Sequence, residues 1–159
     1  MNRLARHRQC ASSDFWRMDR QESIEVLDRI LKKDKRFHRD AYVFLGEAVD
    51  FTQKAIGKAN KGKVRHVTGQ ELLAGIRAYA SEQYGPMAMM LLDEWGIKRC
   101  EDFGDIVFNL VEHGLLKKTE TDSPADFQGG YDFHEAFRKP FLPKHRSGSP
   151  PEKQRSTSA

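Results

Sequence analysis

Apolar residues recur three and four positions apart along most of this chain, and that spacing predicts five helices. The first covers about 22–33, with Ile24, Leu27, Ile30 and Leu31 on one face. The second, about 38–58, is the longest. Ala41, Phe44, Leu45, Ala48, Val49 and Ile56 form its stripe, and Tyr42, Val43 and Phe51 widen it, which makes it the expected central element. The segment "GKANKGKVRHV" ends it, with Gly57 and Gly62 as breakers.

A third helix opens at Thr68, where "TGQE" has the capping-box pattern: the Thr68 hydroxyl accepts a backbone N–H while Glu71 reaches back. Leu72, Leu73, Ile76, Tyr79 and Ala80 form its inward face, and "YGP" closes it at Gly85, with Pro86 opening the next helix. The fourth covers about 86–95, with Met87, Met90, Leu91 and Trp95 inward and Gly96 as its stop. Core packing is thus the expected use of this methionine-rich segment, and Met89 with Leu92 or Phe108 is the expected exposed apolar face. The fifth covers about 103–113, with Asp102 as N-cap, Phe103, Ile106, Val107, Leu110 and Val111 inward, and Gly114 as its stop. "LLKKTET" then alternates weakly as a strand, "DSPAD" turns, and "FQGGYDF" returns as a second strand before a helical turn at "HEAF". The predicted fold class is mainly α with a small β-hairpin, winged-helix-like in its second half.

At 159 residues the chain has the length of one domain with tails. Residues 1–20 lack a sustained apolar period and read as a basic arm. Residues 21–137 read as the single domain. Residues 138–159, rich in Pro, Ser and Lys/Arg, read as a disordered basic tail. No apolar run approaches the roughly 18 residues of a membrane span, and the arginine-rich start lacks the apolar core of a secretory signal, so a cytoplasmic protein is expected. Cys10 and Cys100 suggest free thiols rather than a disulfide framework or zinc site.

Charge changes this picture more than composition does. The net charge is +4, but the arm and the tail carry +3 and +5, leaving the body at −4. Within the body, residues 21–66 carry +4 and residues 67–137 carry −8. A winged-helix DNA reader needs cations on its recognition helix. Here the fifth helix offers Asp102, Asp105 and Glu112 without a single Lys or Arg, so the charges argue against major-groove reading. The acidic face of Asp102, Asp105, Asn109, Glu112, His113, Asp122 and Asp126 is instead expected to meet a protein partner. The alternative is non-specific nucleic-acid or ribosome binding through Arg3, Arg6 and Arg8 of the arm, Lys58, Lys61, Lys63 and Arg65 of the 54–65 loop, and Lys144 and Arg146 of the tail. No aromatics interleave with these cations, so base stacking is not indicated.

No catalytic motif is found, and a non-enzymatic role without cofactor or metal is expected. "HRD" at 38–40 and "DFG" at 102–104 occur in protein-kinase sites, but the glycine-rich loop and lysine strand are missing. His113, Asp132, His134 and Glu135 include no pair at the helical i, i+4 ligand spacing. Neither a "GxSxG" elbow nor a Cys with an evident basic partner is present.

The stretches "RDAYVFLGEAVDFT", "RHVTGQELLAGIRAYASEQYGPMA", "WGIKRCEDFGDIVFNLVEHGLLKKTETDSPADF" and "GYDFHEAF" together resemble a protein family restricted to Planctomycetes and Verrucomicrobia. The resemblance covers about residues 22–137 and leaves both tails outside. It implies a single bacterial cytoplasmic domain, and it implies no activity, because the family has none assigned.

Overall fold

The computed structural model describes residues 20–61, 67–116 and 123–144. Five α-helices form the body: α1 (Arg20–Lys33), α2 (Arg39–Ala59), α3 (Gly69–Tyr84), α4 (Ala88–Glu94) and α5 (Cys100–Glu112). A 3₁₀ turn at Gly85–Met87 joins α3 to α4. The C-terminal part is a 3₁₀ turn at Pro124–Phe127, a π-helical turn at His134–Arg138 and a 3₁₀ turn at Lys139–Phe141.

The centre is α2, as its wide apolar stripe predicts. Ala41, Tyr42, Phe44, Leu45, Ala48 and Val49 are all buried, and α2 packs on α1, α3 and α5. Its first turn is capped by His38, whose Nδ1 accepts the Asp40 backbone N–H at 3.1 Å. Gly57 does not break α2, which runs through it to Ala59; Gly62 lies outside the described residues. The α2–α3 crossing is close because Gly75 faces Thr52, whose hydroxyl is turned back to donate to the Ala48 carbonyl at 2.7 Å.

The predicted capping box is present. Thr68 Oγ1 accepts from Glu71 N at 3.2 Å, and the Glu71 carboxylate accepts from Thr68 N at 3.3 Å. Gly85 ends α3 as predicted, and the two later glycine stops also hold. Gly96 and Gly114 have φ of +86° and +78°. In each case the glycine N–H and the next N–H bond back into the preceding turn, Gly96 to Asp93 and Ile97 to Leu92, Gly114 to Val111 and Leu115 to Leu110.

Three expectations are corrected. The fourth helix starts at Ala88, after Pro86 has been used in the 3₁₀ turn, and its inward stripe is Ala88, Leu92 and Trp95. That phase turns Met87 and Met90 outward, at 54% and 61% exposure, and buries Leu92, against expectation, whereas Trp95 is buried as predicted and Leu91 packs on the core half-buried. The fifth helix starts at Cys100, so Asp102 is not its N-cap but its third residue. The hairpin is not supported, since no strand occurs among the described residues. Residues 117–121 of the proposed first strand lie outside them. The proposed return strand is replaced by local hydrogen bonding and burial. Ser123 and Asp126 close a reciprocal cap around Pro124, with Ala125 N on the Ser123 hydroxyl and Ser123 N on the Asp126 carboxylate. Phe127, Phe133 and Phe137 then enter the core.

Candidate functional site

Of the residues predicted to form a partner face, Asp105, Asn109 and Glu112 share one side of α5, and that side faces the protein's own segment 33–36. Asp105, Asn109 and Glu112 are four and three residues apart, which places them along one helical stripe. Arg36, in the α1–α2 loop, donates from Nη1 to Asp105 at 3.0 Å and chelates Asp34 through Nε and Nη2. Lys33, in the last turn of α1, donates to Glu112 at 2.7 Å. Asn109 Nδ2 donates to Asp34 at 3.0 Å and to the Tyr42 hydroxyl at 3.1 Å, reaching the buried side of α2. His113 places Nδ1 2.9 Å from the Asn109 carbonyl.

Asp102 is turned inward and buried. Its Oδ2 accepts the backbone N–H groups of Lys98 and of the N-cap Arg99 at 2.8 and 3.2 Å, closing the start of α5. Phe103 beside it is wholly buried, so the Asp-Phe-Gly triplet serves the fold. Asp126 caps its own turn, and Asp122 lies outside the described residues. The charge split seen in the sequence is therefore partly an internal complementarity, with the basic α1–α2 loop clamped on the acidic face of α5.

Asp34 is the hub of that clamp. The Arg36 hydrogen bonds hold its carboxyl far below the ordinary aspartate value of 3.8, against a smaller opposing effect of burial. A depressed folded-state pKa contributes stability that is complete above the unfolded value and is lost as pH falls below it. Asp34→Asn is therefore expected to destabilise the protein at pH 6, with the gap to the parent narrowing progressively below about pH 4. Urea unfolding of both proteins at pH 6, 4 and 3 measures this; a gap that stays constant to pH 3 would refute the assignment.

The predicted basic residues are only partly placed. Lys58 is in the last turn of α2, where a cation complements the helix dipole, and Lys61 follows it with φ +54°. Lys144 is exposed at the end of the described C-terminal segment. Arg3, Arg6, Arg8, Lys63, Arg65 and Arg146 lie outside the described residues.

Two surface features were not predicted. The first is apolar: Met87 and Met90, with Phe141 and Leu142 at 38% and 45% exposure. The Gly85–Met87 turn and α4 both pack on the His134–Arg138 turn, which runs through Lys139–Phe141 into Leu142, so the elements that carry the four residues share that turn as a neighbour. The second is a groove of about 580 Å³ between α3 and the C-terminal segment. Gln70, Ala74, Arg77, Ala78 and Ser81 form its α3 wall, and Gly129, Tyr131 and Pro140 lie opposite. Tyr131 fixes that opposite wall by donating its hydroxyl to the Leu73 carbonyl at 2.8 Å, and the Arg77 guanidinium lies 5.7 Å from its ring centroid. Burial pushes the Tyr131 phenol well above its ordinary value, so it stays a donor. The sequence carries only a faint sign of this groove, because alanines four apart on a polar helix face are also the commonest way to fill an exposed helix.

Cys100 is buried beneath the same segment, its thiol donating to the Tyr131 carbonyl at 3.3 Å, and burial pushes its pKa up, away from thiolate chemistry. Among the described residues every buried side-chain polar atom has a hydrogen-bond partner, and no three His, Cys, Asp or Glu residues are grouped to hold a metal ion. No described helix is long and apolar enough to cross a membrane. No family model, curated protein or solved structure matches the chain.

Proposed function

We propose that this chain is a non-enzymatic interaction module that binds a protein partner. The observation that carries this reading is the exposure of Met87, Met90, Phe141 and Leu142, on elements that all pack on the His134–Arg138 turn. Single exposed apolar residues are ordinary, but a group that includes two flexible thioethers is a surface suited to a partner's apolar side chains. The acidic α5 face, the surface expected from the sequence, is the weaker choice, since a basic partner there has to displace Lys33 and Arg36. In this reading α3, α4 and α5 keep the helix order of a winged-helix domain, and the protein is a bacterial cytoplasmic member of the Planctomycetes and Verrucomicrobia family.

The test is paired affinity capture from the native host with the parent and a Met87→Glu/Met90→Glu variant. Both side chains are exposed, so the variant is expected to keep the parent's melting temperature and to lose at least one protein that the parent retains. Identical captured sets overturn the proposal.

The second reading is non-specific nucleic-acid binding through the arms and the 54–65 segment, whose first residues are the end of α2. It is favoured by one observation: Lys58, Lys61 and Lys144 make no ion pair among the described residues. Gel retardation with DNA and RNA at low and physiological salt decides it. Salt-sensitive binding lost on deleting 1–20 and 138–159 supports it, and no binding at low salt sinks it.

A further inference from the structure

We infer that the groove along α3 receives an acidic amphipathic helix, about three turns long, from a protein partner; this rests on the interaction-module reading and gives that partner its chemistry. The length follows from the wall. Gln70 and Ser81 are eleven residues apart on one helix, which makes the wall about 16 Å long at 1.5 Å per residue. The form of the occupant follows from what the fold offers. A peptide that adds as a strand needs a free sheet edge, and no strand occurs among the described residues, whereas an amphipathic helix needs an apolar groove. Ala74, Ala78 and Gly129 give the groove small walls, so a partner helix can approach near the short end of the usual 8–10 Å interaxial range.

The charge of the occupant follows from Arg77. Among the described residues it is the sole charged one lining the groove, and it has no carboxylate partner there. Its guanidinium carbon lies 5.7 Å from the centroid of the Tyr131 ring, and a guanidinium is the cation that takes a carboxylate in bidentate fashion. Arg138, on the turn that bounds the groove, is exposed and also makes no ion pair among the described residues, while Lys139 next to it is held by Glu135 at 2.9 Å. A helix with apolar residues three and four apart and Asp or Glu beside them satisfies both the walls and the two arginines.

The probe is a phage-displayed library of random 16-residue peptides selected on the full-length protein, with enriched sequences synthesised and measured by fluorescence anisotropy. Enriched peptides are expected to share apolar residues at i, i+3 or i+4 and i+7 with flanking acids. Their binding is expected to weaken at least tenfold in Arg77→Glu and in Ala78→Trp, and to weaken with added salt. Both substitutions are at exposed helix positions, and circular dichroism checks that both variants keep their fold. Replacing the peptide's acid by Lys is expected to restore binding to Arg77→Glu. A selection that enriches nothing, or that yields basic peptides, overturns the proposal. Binders indifferent to both groove substitutions but lost in Met87→Glu/Met90→Glu also overturn it, and in that case the interaction module stands with its site at the methionines.

Discussion

Gly75→Ala is expected to destabilise the protein by about 3 kcal/mol, at the upper end of what an added methylene costs in a packed interior. A Cβ at this position lies 1.8 Å from Thr52 Oγ1 and 2.8 Å from both Thr52 Cβ and Cγ2. Rotation of Thr52 can remove the first contact at the loss of its hydrogen bond to Ala48, but Cβ does not move with rotation. Relief therefore requires α2 and α3 to separate, and α2 is the element on which the core is built. The same change at Gly57 has the opposite sign. Gly57 is also within α2, yet nothing lies within 4 Å of a Cβ placed there, so alanine there should add up to about 1 kcal/mol through helix propensity alone. Adding Thr52→Ala to Gly75→Ala removes Oγ1 and Cγ2 and should recover part of the loss. Urea denaturation followed by far-UV circular dichroism measures all three. Equal effects at Gly57 and Gly75 would show that the close crossing does not exist.

Much of this fold is legible in the local grammar of the sequence. The capping box at Thr68, the stops at Gly96 and Gly114 and the central position of α2 depend on hydrogen bonds and periodicities within a few residues of one another. The phase of α4 is not legible, because "PMAMMLLDEW" supports two apolar stripes one residue apart. Only the docking of Ala88, Leu92 and Trp95 on neighbouring elements selects between them. The α5 face shows a different limit. The spacing of its acids places them on one stripe, but sequence cannot tell whether a charged stripe points at solvent or at Lys33 and Arg36, about seventy residues or more earlier in the chain. The groove depends entirely on long-range contacts, between α3 and a segment some fifty residues later.

Phe137→Ala tests whether the C-terminal segment belongs to the core or is appended to it. In an appended segment this aromatic would stabilise little beyond that segment. Here it is fully buried, with its ring edge-on to Phe133 at 5.2 Å and to Tyr131 at 5.7 Å, while Phe133 stacks on Phe103 of α5 at 5.5 Å. Truncation to alanine should therefore cost about 3–5 kcal/mol, the usual range for a buried phenylalanine, with the lost edge-on contacts placing it high in that range. A loss of that size is a large share of the roughly 5–15 kcal/mol that ordinarily holds a domain together. It should appear as an earlier cooperative transition of the whole helical signal rather than as a separate early phase. Phe141→Ala, four residues on but exposed at 38%, is the control and should change stability by no more than about 0.5 kcal/mol. If Phe137→Ala left the helical transition within about 1 kcal/mol of the parent, the C-terminal segment would be an appendage, and the opposite wall of the groove would lose the rigidity that Tyr131 and Phe137 give it together.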